Sequence, residues 1–155
     1  MEVAINILIT IAAFCSMEAV AWLTHKYLMH GLLWRLHRDH HKKETYGFFE
    51  HNDFFFLIFA IPGIACLYFG MKQEYNFLFW IGLGITIYGF AYFLVHDVFI
   101  HQRFKMFRNT DNRYFRAIRR AHKMHHKHID KEDGECFGML WVPMKYFRDQ
   151  KRSTA

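Results

Sequence analysis

Apolar and polar positions fall along this chain in long blocks. Three stretches are apolar almost throughout: residues 3–23, 54–70 and 75–95. The first and third are about 21 residues long and the second about 17, against the ~20 residues (range ~17–25) that cross a bilayer as a helix. Each predicts a transmembrane helix. Residues 3–23 lack a basic start and a small-residue cleavage site, and they run straight into His25, so the pattern predicts a membrane span and not a signal peptide. Pro62-Gly63 predicts a kink in the second span. Gly82, Gly84 and Gly89 predict close helix contact along the third. Residues 71–74 form the polar turn between these two. The Phe-rich start of the second run is either core packing or the lining of a flat apolar ligand; aromatic stripes more often pack.

The intervening segments are basic. Residues 24–43 carry Lys26, Arg35, Arg38, Lys42 and Lys43, with Gly31 marking a break between helices. A short connector, 46–53, ends in Asp53, positioned to cap the next helix. Residues 114–126 predict a further amphipathic helix. Residues 134–141 read as irregular chain turning into Pro143 and covering whatever lies beneath. The Lys/Arg-rich tail is expected to fray or lie on a membrane surface. Of the 20 Lys and Arg, only Lys72 falls on the N-terminal side of the predicted spans, and the other 19 share the opposite side. The positive-inside rule makes that side cytoplasmic.

Composition sharpens this picture. The 155 residues leave room for one domain, 1–155, and are 53% hydrophobic with 18 Phe, yet the mean hydropathy is −0.05 because the two kinds of block cancel. The net charge of +6 does not indicate nucleic acid, since the cations flank apolar spans and interleave with histidines; a lipid surface is the expected neighbour. Cys15 and Cys66 lie in apolar runs as small packing residues, and Cys136 stands alone. There is no C-x-x-C, no iron–sulfur spacing and no G-x-G-x-x-G, so electrons for any redox chemistry must come from outside. Glu18, inside the first span and two turns (~10 Å) before His25, needs partners there. It either supports the site or makes a helix-to-helix hydrogen bond.

Ten of the twelve histidines fall in four clusters. H-x-x-H-H occurs at His37, His40, His41 and again at His122, His125, His126. Each copy follows an H-x-x-x-x-H pair, His25 with His30 and His96 with His101. On a helix His37 lies ~40° from His41 and ~60° from His40 on the other side, so one face carries all three, with the last two diverging enough to reach different metal ions. His25 and His30 would sit ~140° apart on an ideal helix. Either the backbone is widened or unwound there, or the two bind different metals. Imidazole is a common ligand of zinc, copper, iron and nickel. His-rich tracts also arise as adventitious metal binders, but such tracts do not predict a repeated, ordered pattern beside apolar spans. His51 and His128 fall outside the pattern and are expected not to be ligands. Asp97, beside His96, either orients that imidazole through its second ring nitrogen or is a helix-end or surface carboxylate without effect.

At these residues the sequence resembles the membrane fatty-acid hydroxylase superfamily, and within it the bacterial beta-carotene 3-hydroxylases. The resemblance is carried by His25-Lys-Tyr-Leu-Met-His30-Gly31, by Trp34 and by His37-Arg-Asp-His40-His41. It continues through Phe49-Glu50-His51-Asn52-Asp53, His96-Asp97, His101-Gln102-Arg103, His122-Lys-Met-His125-His126 and Phe137-Gly138 to Pro143. It implies an all-α integral membrane bundle of about three transmembrane helices with a cytoplasmic polyhistidine cap, in a bacterial inner membrane. It also implies a non-haem centre of two Fe, with zinc as a possible substitute, using O2 and electrons from reduced ferredoxin and its reductase. The implied reaction hydroxylates beta-carotene or a related carotenoid, giving beta-cryptoxanthin and zeaxanthin. An acidic donor would dock on Arg113, Arg116, Arg119, Arg120 and Lys123, although anionic lipid would suit the same run. A fatty-acyl or sterol hydroxylase of the same superfamily, and a non-enzymatic metal carrier, remain as alternatives.

Overall fold

The computed structural model describes residues 1–42, 47–107, 109–130, 132 and 134–148. Lys43 and the basic tail beyond Arg148 lie outside the described residues. Every regular element among those described is helical. Helix α1 (Glu2–Leu23) continues into a wider π-helical segment, Thr24–Leu32, and then into α2 (Trp34–His41). A 3-10 turn, His51–Phe54, leads into α3 (Phe55–Lys72). Helix α4 (Phe77–Tyr92) continues into a second π-helical segment, Phe93–Ile100. Amphipathic α5 (Arg113–His125) and the short α6 (Lys145–Arg148) complete the chain.

Three of these stretches are long and apolar enough to cross a membrane: Glu2–Leu32, His51–Lys72 and Phe77–Ile100, of 31, 22 and 24 residues. The first and third exceed the predicted runs because the π-helical turns extend them. The third starts at Phe77 and not at residue 75, because Glu74 and Tyr75 take positive φ (54° and 60°) in the preceding turn, and the Asn76 side chain accepts the Leu78 N–H at 3.0 Å to cap the helix. Helix α3 continues through Pro62. Asp53 does not cap from outside. It sits within the 3-10 turn, whose first cap is Glu50, and accepts the Glu50 N–H at 3.0 Å. The Phe-rich start of the second span buries only Phe55, while Phe54 and Phe56 are exposed.

Helix α4 is the central staff. A Cβ at Gly82 would meet the Leu67 nitrogen at 2.7 Å, and one at Gly84 the Thr10 carbonyl at 2.5 Å, so these two glycines let α4 press against α3 and α1. Gly89 faces open space and makes no such contact. Helices α1 and α4 run parallel at a constant offset. Thr10 donates to the Trp80 carbonyl (3.3 Å) and Glu18 accepts from Tyr88 (2.7 Å), each pair 70 residues apart. Carried forward, that register sets His25 level with Val95, so the His25 and His96 segments lie at the same end of two parallel spans. Beyond them the interior is not aliphatic. One small apolar cluster (Met17, Ala21, Tyr88) lies below and another (Ala117, Ala121, Tyr146) above. Two of the largest fully buried side chains between them are His37 and His125.

Candidate metal centre

The backbone answers the five-residue spacing first. His101 donates its N–H to the His96 carbonyl (2.9 Å), and Leu33 to Leu28 (2.8 Å). Both are i→i+5 bonds of a π-helical turn, which brings residues five apart onto one face. His25 and His30 therefore point the same way, as do His96 and His101. Gly31, at φ −123° and ψ −109°, ends the first wide segment and swings the chain into α2, so the predicted break is present.

The imidazoles gather into two groups, in each of which one ligand atom per residue lies within 4.8 Å of the others. One is His25, His30, His37, His41 and His125; the other is His40, His101, His122 and His126. His96 sits with the second by ring packing, 4.5 Å from His101 and 4.8 Å from His40, although it is not among the four whose ligand atoms converge. The adjacent histidines separate as their helical angles require. His40 and His41 go to different groups, and so do His125 and His126. The two halves of the chain mirror each other: the first half gives four residues to the first group and one to the second, and the second half does the reverse. His41 and His126 stack at 4.3 Å where the groups meet.

Tautomers show what the groups are suited to hold. His25 Nδ1 faces the Phe137 carbonyl at 2.9 Å and His37 Nδ1 the Asn52 amide oxygen at 2.6 Å. His30 Nδ1 faces the Ile129 carbonyl at 2.6 Å and His125 Nδ1 the Glu135 carbonyl at 3.0 Å. These partners only accept, so each Nδ1 must carry the proton, and in a neutral ring each Nε2 is then a bare lone pair. Yet His25 and His37 approach Nε2 to Nε2 at 3.0 Å, and His30 and His125 at 3.2 Å. Facing lone pairs at that distance repel unless a cation lies between or beside them. Protonation does not supply it. Burial, reinforced by neighbouring imidazoles, holds His37 down to about 3 and His125 down to about 2. The same causes lower His41, His40, His101 and His122, and hold His126 down to about 4. Neutral, convergent, donor-locked imidazoles fit a transition metal.

The second group is backed by carboxylates. His40 Nδ1 donates to Glu50 (3.0 Å), leaving its buried Nε2 with no hydrogen-bond partner among the described residues. His96 Nδ1 lies 3.3 Å from Asp97. Arg103 ties these supports together, reaching Glu50 at 3.1 Å, Asp97 at 3.1 Å and Asp53 at 2.6 Å. His101 and His126 each approach His122 Nε2 at 2.8 Å.

Asp97 thus lies where the sequence puts it, beside His96, with Arg103 on its other oxygen. Glu50, Asn52 and Arg103 were not assigned roles from the sequence. They lie in the Phe49–Asp53 and His101–Arg103 motifs, which carry the resemblance but no spacing signal. The backbone carbonyls of Ile129, Glu135 and Phe137 have no sequence signal at all. His51 lies outside both groups. Its ring and its N–H both donate to Asp39, at 2.8 and 2.6 Å, and it secures the 3-10 turn to α2. His128 belongs to neither group. The irregular stretch 134–141 packs over the site as expected, with Phe137 buried against His25, His30 and His125 at 5.1–5.6 Å. Arg119 is engaged with the Phe99 and Phe107 carbonyls (3.0 and 3.1 Å) and with the Phe99 ring, which turns it away from a docking role.

The sequence profile of the fatty acid hydroxylase family matches residues 10–147. A beta-carotene hydroxylase of Pantoea ananas is 40% identical over 138 residues, covering 89% of this chain and 78% of the relative. One of Paracoccus sp. strain PC1 is 36% identical over 151 residues, 94% of this chain and 91% of the relative. A chloroplastic beta-carotene 3-hydroxylase of Gentiana lutea is 39% identical over 87% of this chain, which spans 42% of that longer protein. No solved structure matches.

Proposed function

The chain belongs to the fatty acid hydroxylase family, and on that premise we propose that it is a membrane monooxygenase hydroxylating the beta-ionone rings of beta-carotene at C3, giving beta-cryptoxanthin and then zeaxanthin. The relatives named beta-carotene hydroxylase, matched over most of this chain, support the substrate. The observation that carries the chemistry is the convergence of Nε2 lone pairs whose partner nitrogens are locked as donors.

In this reading His25, His30, His37, His41 and His125 hold one iron, and His40, His96, His101, His122 and His126 hold the other. Zinc is a possible inactive substitute. Iron held at both groups would supply the activation of O2 that an unactivated C–H bond requires. The protein's own part is positional. Asn52 fixes the tautomer of His37, Glu50 that of His40 and Asp97 that of His96. The buried Phe137 ring keeps bulk water from the first group. Both groups lie at one end of the parallel spans, so a lipid-soluble substrate arrives from the bilayer and oxygen from the aqueous side.

That side is cytoplasmic by the positive-inside rule, in a bacterial inner membrane. The chain has no flavin or iron–sulfur motif, so its electrons come from outside; the family resemblance implies reduced ferredoxin with its reductase as the donor, steered by the exposed Arg113 and Lys123 of α5. A metal carrier would place ligands along a span; both groups here sit at one end, which favours an enzyme. The family's description keeps fatty-acyl hydroxylation as the second reading. Expression in a host that accumulates beta-carotene decides between them. Zeaxanthin and beta-cryptoxanthin are expected. An unchanged pigment profile with hydroxylated acyl chains would establish the second reading instead.

A further inference from the structure

Glu18 lies two turns before His25 in the first span, roughly 10 Å further into the bilayer by helical rise. Its Oε1 accepts three backbone N–H groups, from Met139, Leu140 and Trp141, at 2.9, 2.8 and 2.9 Å. Its Oε2 accepts the Tyr88 hydroxyl of α4 at 2.7 Å. A helix-to-helix bond needs only the last of these. The other three meet a specific need. Non-helical backbone beside a membrane span has N–H groups with neither water nor helix to satisfy them, and a carboxylate at that depth needs donors just as much.

The segment held in this way is the strap that supplies acceptors to the first histidine group. Phe137 and Glu135, two to six residues before the clasped amides, present their carbonyls to His25 and His125. The intervening Gly138 lies so close that a Cβ there would meet Glu18 Oε1 at 2.6 Å. At its other end the strap is tied by Tyr146, which donates to Glu135 at 2.7 Å. Among the described residues, the second group takes no acceptor from the strap.

We propose that Glu18 is a positioning residue that clasps the strap at residues 139–141 and so keeps the Phe137 and Glu135 carbonyls aimed at His25 and His125, acting on the first histidine group and not the second. The proposal rests on reading the histidine groups as metal sites, and its test separates the two ideas. The full-length protein in mild detergent is compared as wild type, Glu18→Ala, Glu18→Gln, Tyr88→Phe and Gly138→Ala. Amide hydrogen exchange over 139–141 and metal affinity are both read.

In Glu18→Ala, exchange over 139–141 rises about tenfold or more, and one metal of the two binds ~10–100-fold more weakly while the other is unchanged. Glu18→Gln keeps an oxygen acceptor and retains most of the wild-type behaviour. Tyr88→Phe, which breaks only the α1–α4 bond, leaves both readouts near wild type. Gly138→Ala pushes the strap off an intact Glu18 and reproduces the Glu18→Ala pattern, which keeps the test decisive if Glu18→Ala does not insert. Wild-type exchange in Glu18→Ala, equal effects from Tyr88→Phe and Glu18→Ala, or equal weakening of both metals would overturn the proposal. If the wild type itself binds no metal, the proposed function fails on its own, and the exchange comparison still decides the clasp.

Discussion

The first histidine group leans on neutral acceptors and the second on carboxylates. His25, His30 and His125 donate to main-chain carbonyls and His37 to an amide oxygen. His40 and His96 instead face Glu50 and Asp97, gathered by Arg103. The two halves of the chain carry the same histidine spacing, so spacing does not make this difference; what folds over each group does. A carboxylate behind an imidazole raises its basicity as a ligand, whereas a carbonyl chiefly fixes its orientation. Two groups with matching histidine spacing are thereby given different surroundings, and they should respond to different mutations.

The largest effect would come from the histidines, and it should not distinguish the groups. Alanine at any of His25, His30, His37, His40, His41, His96, His101, His122, His125 or His126 is expected to abolish zeaxanthin formation at matched membrane expression, because ligands of one centre act as a unit. A clustered histidine that proves dispensable would break the pairing of the two groups.

Removing Arg103 should separate them. Arg103→Ala frees Glu50, Asp53 and Asp97 together, so the second metal is expected to bind ~10–100-fold more weakly with the first unchanged. Equal weakening of both, in a metal titration, would mean that the clasp serves the whole cap. Asp97→Asn and Glu50→Gln should each give a smaller loss in the same direction. Asn52→Ala is the counterpart on the other side. It removes one acceptor from His37, so a loss near the lower end of that ~10–100-fold range is expected, confined to the first group. The smallest effects are expected from His51→Ala and His128→Ala, both of which should retain substantial hydroxylation. His128→Ala should stay within ~0.5 kcal/mol of wild-type stability, while His51→Ala also loses its bond to Asp39 and should cost slightly more.

The three spans and the division of adjacent histidines between groups were legible because each follows from a period; at H-x-x-x-x-H the same period ruled out an ideal helix but left a widened backbone and separate metals both open. Apolar run length, a 140° mismatch and a 100° step are properties of sequence order. The ends of the spans were less legible. Asn76 capping moves the third start to Phe77, and Glu50 takes the cap expected of Asp53. The assignment of supports was not legible either. Asn52 and Arg103 reach their partners across chain separations no local pattern encodes, and a carbonyl such as Phe137's is present at every residue. Glu18 was visible as an anomaly, a carboxylate inside a span, but its partners at 139–141 became visible only once the strap was folded against it.

The central claim is that ten histidines make two metal sites sharing neighbouring walls, and the direct test is a metal count. Protein purified in mild detergent and analysed for transition metals is expected to carry two per chain, iron when active. The double variant His40→Ala/His125→Ala, which takes one ligand from each group, is expected to retain neither at full occupancy. One metal per chain in the wild type, or two that survive the double substitution, would contradict it.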